Sequence, residues 1–341
     1  MQKKTSPYSI ISFSGETGTL MDTIASVEIG TNSLRMLIAE RGNANGTLRP
    51  VLRKRSITRL GEDFGKINTG ALKREAMDRS ISVLEDFFDL ASHYHVSSLH
   101  AVATGVVRKA SNRNSFIKLI ARELGHTVKI ISGQEEAHLT WRGVISSMNQ
   151  RGERLVIFDL GGGSTEFIWS HNKERRTISI DLGVITVTEK YLTSDPPKKD
   201  EIGQLINHIV QTIQRNLGSW KEIEKDTFIL IGTGGTAVSL AAMTHGIEVS
   251  DFDGKVHGLI VTRKKIGLLF EKMRDVPARE RLTLKGLEPG REGTILAGTL
   301  IVMNIMEYFK KDEIKVSYSD LLEGILVDFL EGEANGLSED E

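Results

Sequence analysis

The chain has 341 residues, more than one hydrophobic core usually holds, and its 39% hydrophobic and 26% charged residues suit a globular protein rather than a disordered or fibrous one. Its 44 basic and 45 acidic residues leave a net charge of −1, so the chain is no polycation for non-specific nucleic-acid binding and any anion site has to be local. It has no cysteine, which removes disulfides and thiolate metal sites and fits a reducing, cytoplasmic setting, and no apolar run nears the ~18 residues of a membrane span.

Residues 1–20 hold a short apolar stretch broken by Ser and Pro, and are expected to be a disordered extension or to precede a start at Met21. "TIASVEIG" reads as a buried strand running into a glycine, "SLRMLIAE" as its returning partner, and "TLRPVLRKRSITRL" as a third strand, basic on one face. "REAMDRSISVLEDFFDLASHY" carries Met77, Ile81, Leu84, Phe87, Phe88 and Ala91 at helical spacing. "SLHAVATG" is a strand, "RNSFIKLIARELG" a helix, "TVKIIS" a strand and "GQEEAHLTWRGVISSM" a helix.

The pattern then restarts. "RLVIFDLGGG" is a strand ending in an acid and glycines, with "TEFIWSH" and "RRTISIDLG" as meander partners. Helices are predicted at about 184–192 and 198–219, then the strand "DTFILIG", a helix after "TGGT", a long helix at about 291–309, the strand "EIKVSY" and a last helix "SDLLEGILVDFL". This is an α/β chain with mixed sheets and a loose internal duplication, in which "VEIGTNS" and "IFDLGGGS" occupy equivalent places 131 residues apart. The restart predicts domains at 21–133 and 134–331, with the last helix packing back on the first, and an acidic, solvated tail at 332–341.

The chemistry lies in the turns. Gly-, Ser- and Thr-rich turns leave backbone N–H groups pointing into one space, where an anion can sit. The candidate phosphate-binding residues are Thr31, Asn32 and Ser33 in the first turn, Gly161, Gly162, Gly163, Ser164 and Thr165 in the second, and Gly234, Gly235 and Thr236 in the third. One such turn is a plain hairpin more often than not; three in a duplicated chain, two of them behind a strand-end acid, point to a cleft for a polyanion. Glu28 and Asp159 end equivalent strands, and facing carboxylates beside phosphate suggest a divalent cation, with Mg²⁺ the one expected. Glu166 follows the second turn, where it can hold a water or the metal.

Ser132 and Glu135 form an S-x-x-E capping box, which gives Glu135 a structural task. Glu136 has none, and reads either as general base on a water or as a solvated acid of the first helical turn. Arg108 reads as a phosphoryl clamp or a surface cation, and the runs at Arg53–Arg55, Lys198–Lys199 and Arg263–Lys265 as an anionic track or solvated faces. There is no P-loop, H-E-x-x-H or G-x-S-x-G motif, and no histidine is followed by Asp.

The stretches "VEIGTNSLRMLIAE", "AVATGVVRKASNRNSFI", "VKIISGQEEAHLTWRGV", "LVIFDLGGGSTEFIW", "ISIDLGVITVTEKYL", "LIGTGGTAVSLAAM", "KVHGLIVTR" and "LLEGIL" resemble, in order, the exopolyphosphatase and guanosine pentaphosphate phosphohydrolase family of the acetate and sugar kinase, Hsp70 and actin superfamily. The resemblance implies two ribonuclease H-like domains with mixed five-stranded sheets flanked by helices and an interdomain active site. It implies Mg²⁺-dependent release of terminal phosphate from polyphosphate, or of the 5′ γ-phosphate from pppGpp. Glu136 matches the family's catalytic glutamate; Asn32, Arg108, Gly161, Ser164 and Glu166 match phosphate- and water-handling positions, and Asp159 the metal-linked acid. The chain resembles the short form, without additional helical domains. It departs from the family at Glu28, where Asp is usual. Two rivals stay open, a kinase of the same superfamily and a non-catalytic sensor of polyphosphate or a guanosine penta- or tetraphosphate. Nothing in the sequence locates a subunit interface, so a homodimer is neither required nor excluded.

Overall fold

The computed structural model describes residues 22–42, 47–64, 70–148, 153–172, 174–220, 223 and 227–337. The expected extension at 1–20 and the end of the acidic tail, 338–341, lie outside them.

The first half runs β1 (Thr23–Ile29), β2 (Ser33–Arg41), β3 (Leu48–Ile57), α1 (Arg74–His93), β4 (Ser98–Ala103), α2 (Gly105–Lys109), α3 (Arg113–Leu124) and β5 (Lys129–Ile130), and α4 (Gly133–Met148) then crosses to pack on the second sheet. The second runs β6 (Leu155–Leu160), β7 (Thr165–His171), β8 (Glu174–Ile180), α5 (Val184–Tyr191), α6 (Lys199–Leu217), β9 (Ile229–Thr233), α7 (Gly234–His245), α8 (Phe252–Lys255), β10 (Ile260–Thr262), α9 (Arg263–Met273), α10 (Ala278–Arg281), α11 (Ile295–Tyr308), β11 (Glu313–Val316) and α12 (Leu321–Leu337).

The sheets repeat one plan. The first has the order β3-β2-β1-β4-β5 and the second β10-β11-β9-β6-β7-β8. In each, the opening strand pairs antiparallel with the second and parallel with the fourth. The second sheet has six strands rather than the expected five, because β10 adds an antiparallel edge to β11. No element is predicted between residues 246 and 290. Yet α9 carries Ile266, Leu269, Phe270 and Met273 at helical spacing, and its N-cap Thr262 accepts from Lys265 N–H.

β1 and β6 are apolar because they are central strands covered on both faces. α1 buries Met77, Ile81, Leu84, Phe87, Phe88 and Ala91 on one stripe, which is why its period was readable. "TVKIIS" forms only the two-residue β5. The helix read from 291 starts at Ile295, because residues 288–294 are held in turns.

α12 runs six residues into the stretch read as a tail. It returns to the first sheet, where Leu322, Leu326 and Leu330 cluster with Ile24, Leu37 and Ala39, and the Ser26 hydroxyl donates to the Leu322 carbonyl (2.9 Å). Each such leucine contributes about 1.5–3 kcal/mol by leaving water. α12 crosses α4 at two glycines: a Cβ on Gly143 would lie 1.8 Å from the Asp320 carbonyl, and one on Gly324 1.8 Å from that of Leu139. Among the described residues, no helix is long and apolar enough to cross a membrane.

Candidate active site

The duplicated hairpins close in the same way. Gly30 N–H donates to the Ser33 carbonyl (3.1 Å) and Gly161 N–H to the Ser164 carbonyl (3.0 Å). The two turns meet tip to tip: a Cβ on Gly162 would lie 3.2 Å from the Thr31 Cβ and 3.5 Å from the Asn32 Cβ. Behind the second turn, Val184 and Ile185 N–H, at the start of α5, donate to the Gly161 and Gly162 carbonyls (3.0 and 2.9 Å). Gly183 makes this possible, since a Cβ there would lie 2.4 Å from the Gly162 and Gly163 backbones. With those carbonyls tied, and no main-chain acceptor for the N–H groups of Asn32, Gly162 and Gly163 among the described residues, the tips keep free donors.

The tips open into a cleft of about 390 Å³ that spans both halves. It is lined by Glu28, Thr31, Asn32, Ser33, Glu136, Asp159, Gly161, Gly162, Gly163, Ser164, Glu166, Gly234 and Gly235, so most of the sequence candidates share one space. The first turn is also braced from within its own half. Thr31's hydroxyl accepts from Val106 N–H (3.1 Å), Asn32's carbonyl from Thr58 and Arg59 N–H (3.1 and 2.9 Å), and Ser33's hydroxyl from Arg55 Nε–H (3.2 Å).

Three candidates stand outside that lining. Thr165 donates its hydroxyl to the Leu182 carbonyl, and Thr236 packs on Gly298 of α11. Arg108 stands behind Glu136 rather than in the cleft: its Nη1 donates to Glu136 Oε2 (2.7 Å) and to the Ile131 carbonyl (3.0 Å). Gly234, at φ +83°, begins α7; a Cβ there would lie 2.6 Å from Asp159 Oδ1. Of the basic runs, Arg53, Lys54 and Arg55 line the cleft, whereas Lys198–Lys199 and Arg263–Lys265 open α6 and α9.

Ser132 and Glu135 form the reciprocal capping box (2.8 and 3.1 Å), and Glu135 is exposed. Glu136, one residue on, is only 6% exposed and lines the cleft, which removes its reading as a solvated acid. Burial, then the charge of Glu166, pushes its carboxyl up to about 8, against the pull of Arg108. Glu166 stands opposite Asp159 across β6–β7, and its Oε1 accepts from the Ser164 and Ser179 hydroxyls (2.9 and 2.7 Å). Burial, then Asp159, raises Glu166 to about 7; burial, then Asp320, raises Asp159 to about 8.

Sequence reasoning missed three groups here. Arg35 faces Glu28 across β1–β2 and donates to it from Nε (2.6 Å), while its Nη1 reaches Asp320. Asp320 caps α12, accepting Leu322 N–H (3.1 Å) while Glu323 accepts Asp320 N–H (2.9 Å); the readable signal was the D-x-x-E spacing. Arg291 lies against the start of α7, where a Cβ on Gly235 would fall 1.3 Å from its Nη2, and pairs with Glu288 (2.9 Å). Glu288 also binds Arg55, whose pKa falls to about 9 through burial and the charge of Arg291. No short-range pattern announces Arg291.

Among the described residues, no group of three His, Asp or Glu gathers to hold a metal. Mg²⁺ needs no such cage, because it binds through one or two carboxylates and completes its shell with water and phosphate. Asp159 and Glu166 fit: both are buried oxygen donors, and neither forms an ion pair among the described residues.

Residues 37–333 match the family described as the Ppx/GppA phosphatase family. The chain is 32% identical over 324 residues to the bifunctional 3-dehydroquinate synthase/phosphatase of Fusobacterium nucleatum, covering 90% of this chain and 46% of that protein. It is 30% identical over 313 residues to exopolyphosphatase 2 of Mycobacterium tuberculosis, covering 89% and 97%. It is 25% identical over 311 residues to the guanosine-5'-triphosphate,3'-diphosphate pyrophosphatase of Aliivibrio fischeri, covering 91% and 60%. The chain thus spans less than two thirds of the Fusobacterium and Aliivibrio proteins. Among solved structures, the Aquifex aeolicus member of the Ppx/GppA family is 30% identical, with a TM-score of 0.76, covering 92% of this chain and 99% of that one.

Proposed function

Because the chain belongs to the Ppx/GppA phosphatase family, we propose that it is a phosphohydrolase that releases the terminal phosphate of inorganic polyphosphate, the 5′ γ-phosphate of pppGpp, or both. The observation that carries this reading is the buried Glu136 carboxylate in the same cleft as two apposed glycine turns with free N–H donors. Donors of that kind favour the charge that builds on phosphoryl oxygens. A carboxylate without a solvent cage, raised to about 8, is a base matched to taking a proton from water.

In the proposed reaction the terminal phosphoryl group lies on the turn amides. Glu136 accepts a proton from a water, whose oxygen attacks phosphorus in line; the phosphoanhydride bond breaks and its electron pair leaves on the remaining chain. Arg108 positions Glu136 and keeps part of its negative charge available at neutral pH. Glu166 has one oxygen committed to two hydroxyls and the other for orienting the water. When bound at Asp159, a divalent cation such as Mg²⁺ would neutralise phosphate oxygens.

The test is phosphate release by the full chain from long-chain polyphosphate and from pppGpp, with and without Mg²⁺. Release from either, stimulated by the cation, is the expected result. Tight binding of both without release would replace the enzyme reading by that of a sensor.

A further inference from the structure

The duplicated hairpins differ in what stands opposite the strand-end acid: Arg35 faces Glu28, whereas Glu166 faces Asp159. Arg35 commits three of its donors. Nε and Nη2 go to Glu28 Oε2 (2.6 and 2.5 Å), and Nη1 goes to Asp320 Oδ2 in the other half of the chain. The remaining Glu28 oxygen accepts the Thr104 hydroxyl (3.3 Å), and the remaining Asp320 oxygen accepts Leu322 N–H (3.1 Å). All four oxygens of this carboxylate pair are therefore engaged. Asp159 has no such direct pairing; its side-chain hydrogen bond is from the Thr140 hydroxyl at 3.4 Å, and the Arg35 charge reaches it only through space.

We propose that Arg35 is a built-in counter-cation. It pairs with both carboxylates at the Glu28–Asp320 end of the cleft and leaves their oxygens engaged, so a divalent cation engages Asp159 and not Glu28. This rests on the cation-assisted reading given above. A guanidinium stays charged at every working pH and matches carboxylates in a planar fork, so it is not titrated away. A cation arriving at Glu28 would have to displace two N–H donors and then sit beside the positive group it displaced. Arg35 is thus a positioning residue, joining the end of β1 to the cap of α12.

Mn²⁺ binding to the full chain, measured by calorimetry and by water-proton relaxation, tests this without reference to turnover. Asp159→Asn is expected to weaken Mn²⁺ by about tenfold or more, the scale seen for residues that support a metal. Glu28→Gln is expected to change it by less than about threefold, a fraction of the 1.4 kcal/mol that separates decades. Arg35→Gln, which frees two carboxylates, is expected to gain a second Mn²⁺. Should that variant not fold by circular dichroism, the two carboxylate variants still decide. Equal losses in Glu28→Gln and Asp159→Asn, or no Mn²⁺ bound by the unsubstituted chain, would overturn the assignment. Phosphate release is measured on the same samples: release without bound Mn²⁺ sinks this inference and leaves the phosphohydrolase reading standing.

Discussion

The β1–β2 and β6–β7 hairpins share a backbone but not a charge. Each carries an acid one residue before the end of its first strand and closes with Gly N–H donating three residues on, and each sets one side chain directly opposite that acid. In the first hairpin that side chain is Arg35 and the acid is paired; in the second it is Glu166, and two carboxylates stand together with raised pKa values. One turn geometry thus serves two tasks. The paired hairpin ties β1 and β2 to the cap of α12 at Asp320, and the acid-rich one sets Asp159 and Glu166, neither in an ion pair among the described residues, beside Glu136.

The largest effect should come from the acid that faces the acid-rich hairpin. Glu136→Gln is expected to lower kcat by ~10²–10⁴ while polyphosphate still binds, checked by single-turnover kinetics and equilibrium binding. Near-normal turnover would assign the base elsewhere. A smaller effect should follow from forcing the tips apart. Gly162→Ala places a Cβ 3.1 Å from Ile185 Cδ1 and 3.2 Å from Thr31 Cβ, and overpacking of this kind costs about 1–3 kcal/mol in denaturant unfolding.

The charge difference itself has a pH signature. Glu136 acts as a base only when deprotonated, so kcat/KM should rise with pH through about 8. Glu166→Gln removes a charge that raises Glu136 and should move this limb to lower pH; Arg108→Gln removes one that lowers it and should move the limb up. Stability runs the other way. Glu136, Asp159 and Glu166 all titrate higher in the folded chain than in the unfolded one, so the folded state binds more protons between the ordinary carboxylate range and about 8. Unfolding free energy should therefore fall as pH rises through that window. Urea titrations at pH 5 and 8 check the sign, and an increase would show that the three acids are already compensated. The smallest effect belongs to a control away from both hairpins: Ser132→Ala removes an N-cap and should cost about 1 kcal/mol without moving the pH limb.

What was legible in the sequence was local. The turns, the strand-end acids and the S-x-x-E box beside Glu136 each lie within a few residues, where spacing dictates geometry. Arg35 was visible as a letter but not as a partner, because its opposition to Glu28 depends on hairpin register and its second partner, Asp320, is 285 residues away. Arg55 and Glu288, 233 residues apart, were hidden for the same reason. Thr165 and Thr236 show the converse error. A hydroxyl within a glycine-rich motif reads as a ligand, yet the strand pleat and the first turn of α7 aim these two into the core. In the fold, α9 had a readable period, "TVKIIS" was legible as a strand though only its two-residue core pairs as β5, and the edge strand β10 was too short to carry a period.

The return of α12 to β1 has a consequence for biosynthesis. Ile24, Leu37 and Ala39 are among the earliest described residues to emerge from a ribosome, yet the leucines that cover them come some 300 positions later. Until then that greasy surface has no native cover, and a nascent polypeptide in this condition is the kind that chaperones capture. A message cut short before codon 320 would yield a product whose opening sheet has everything but its lid.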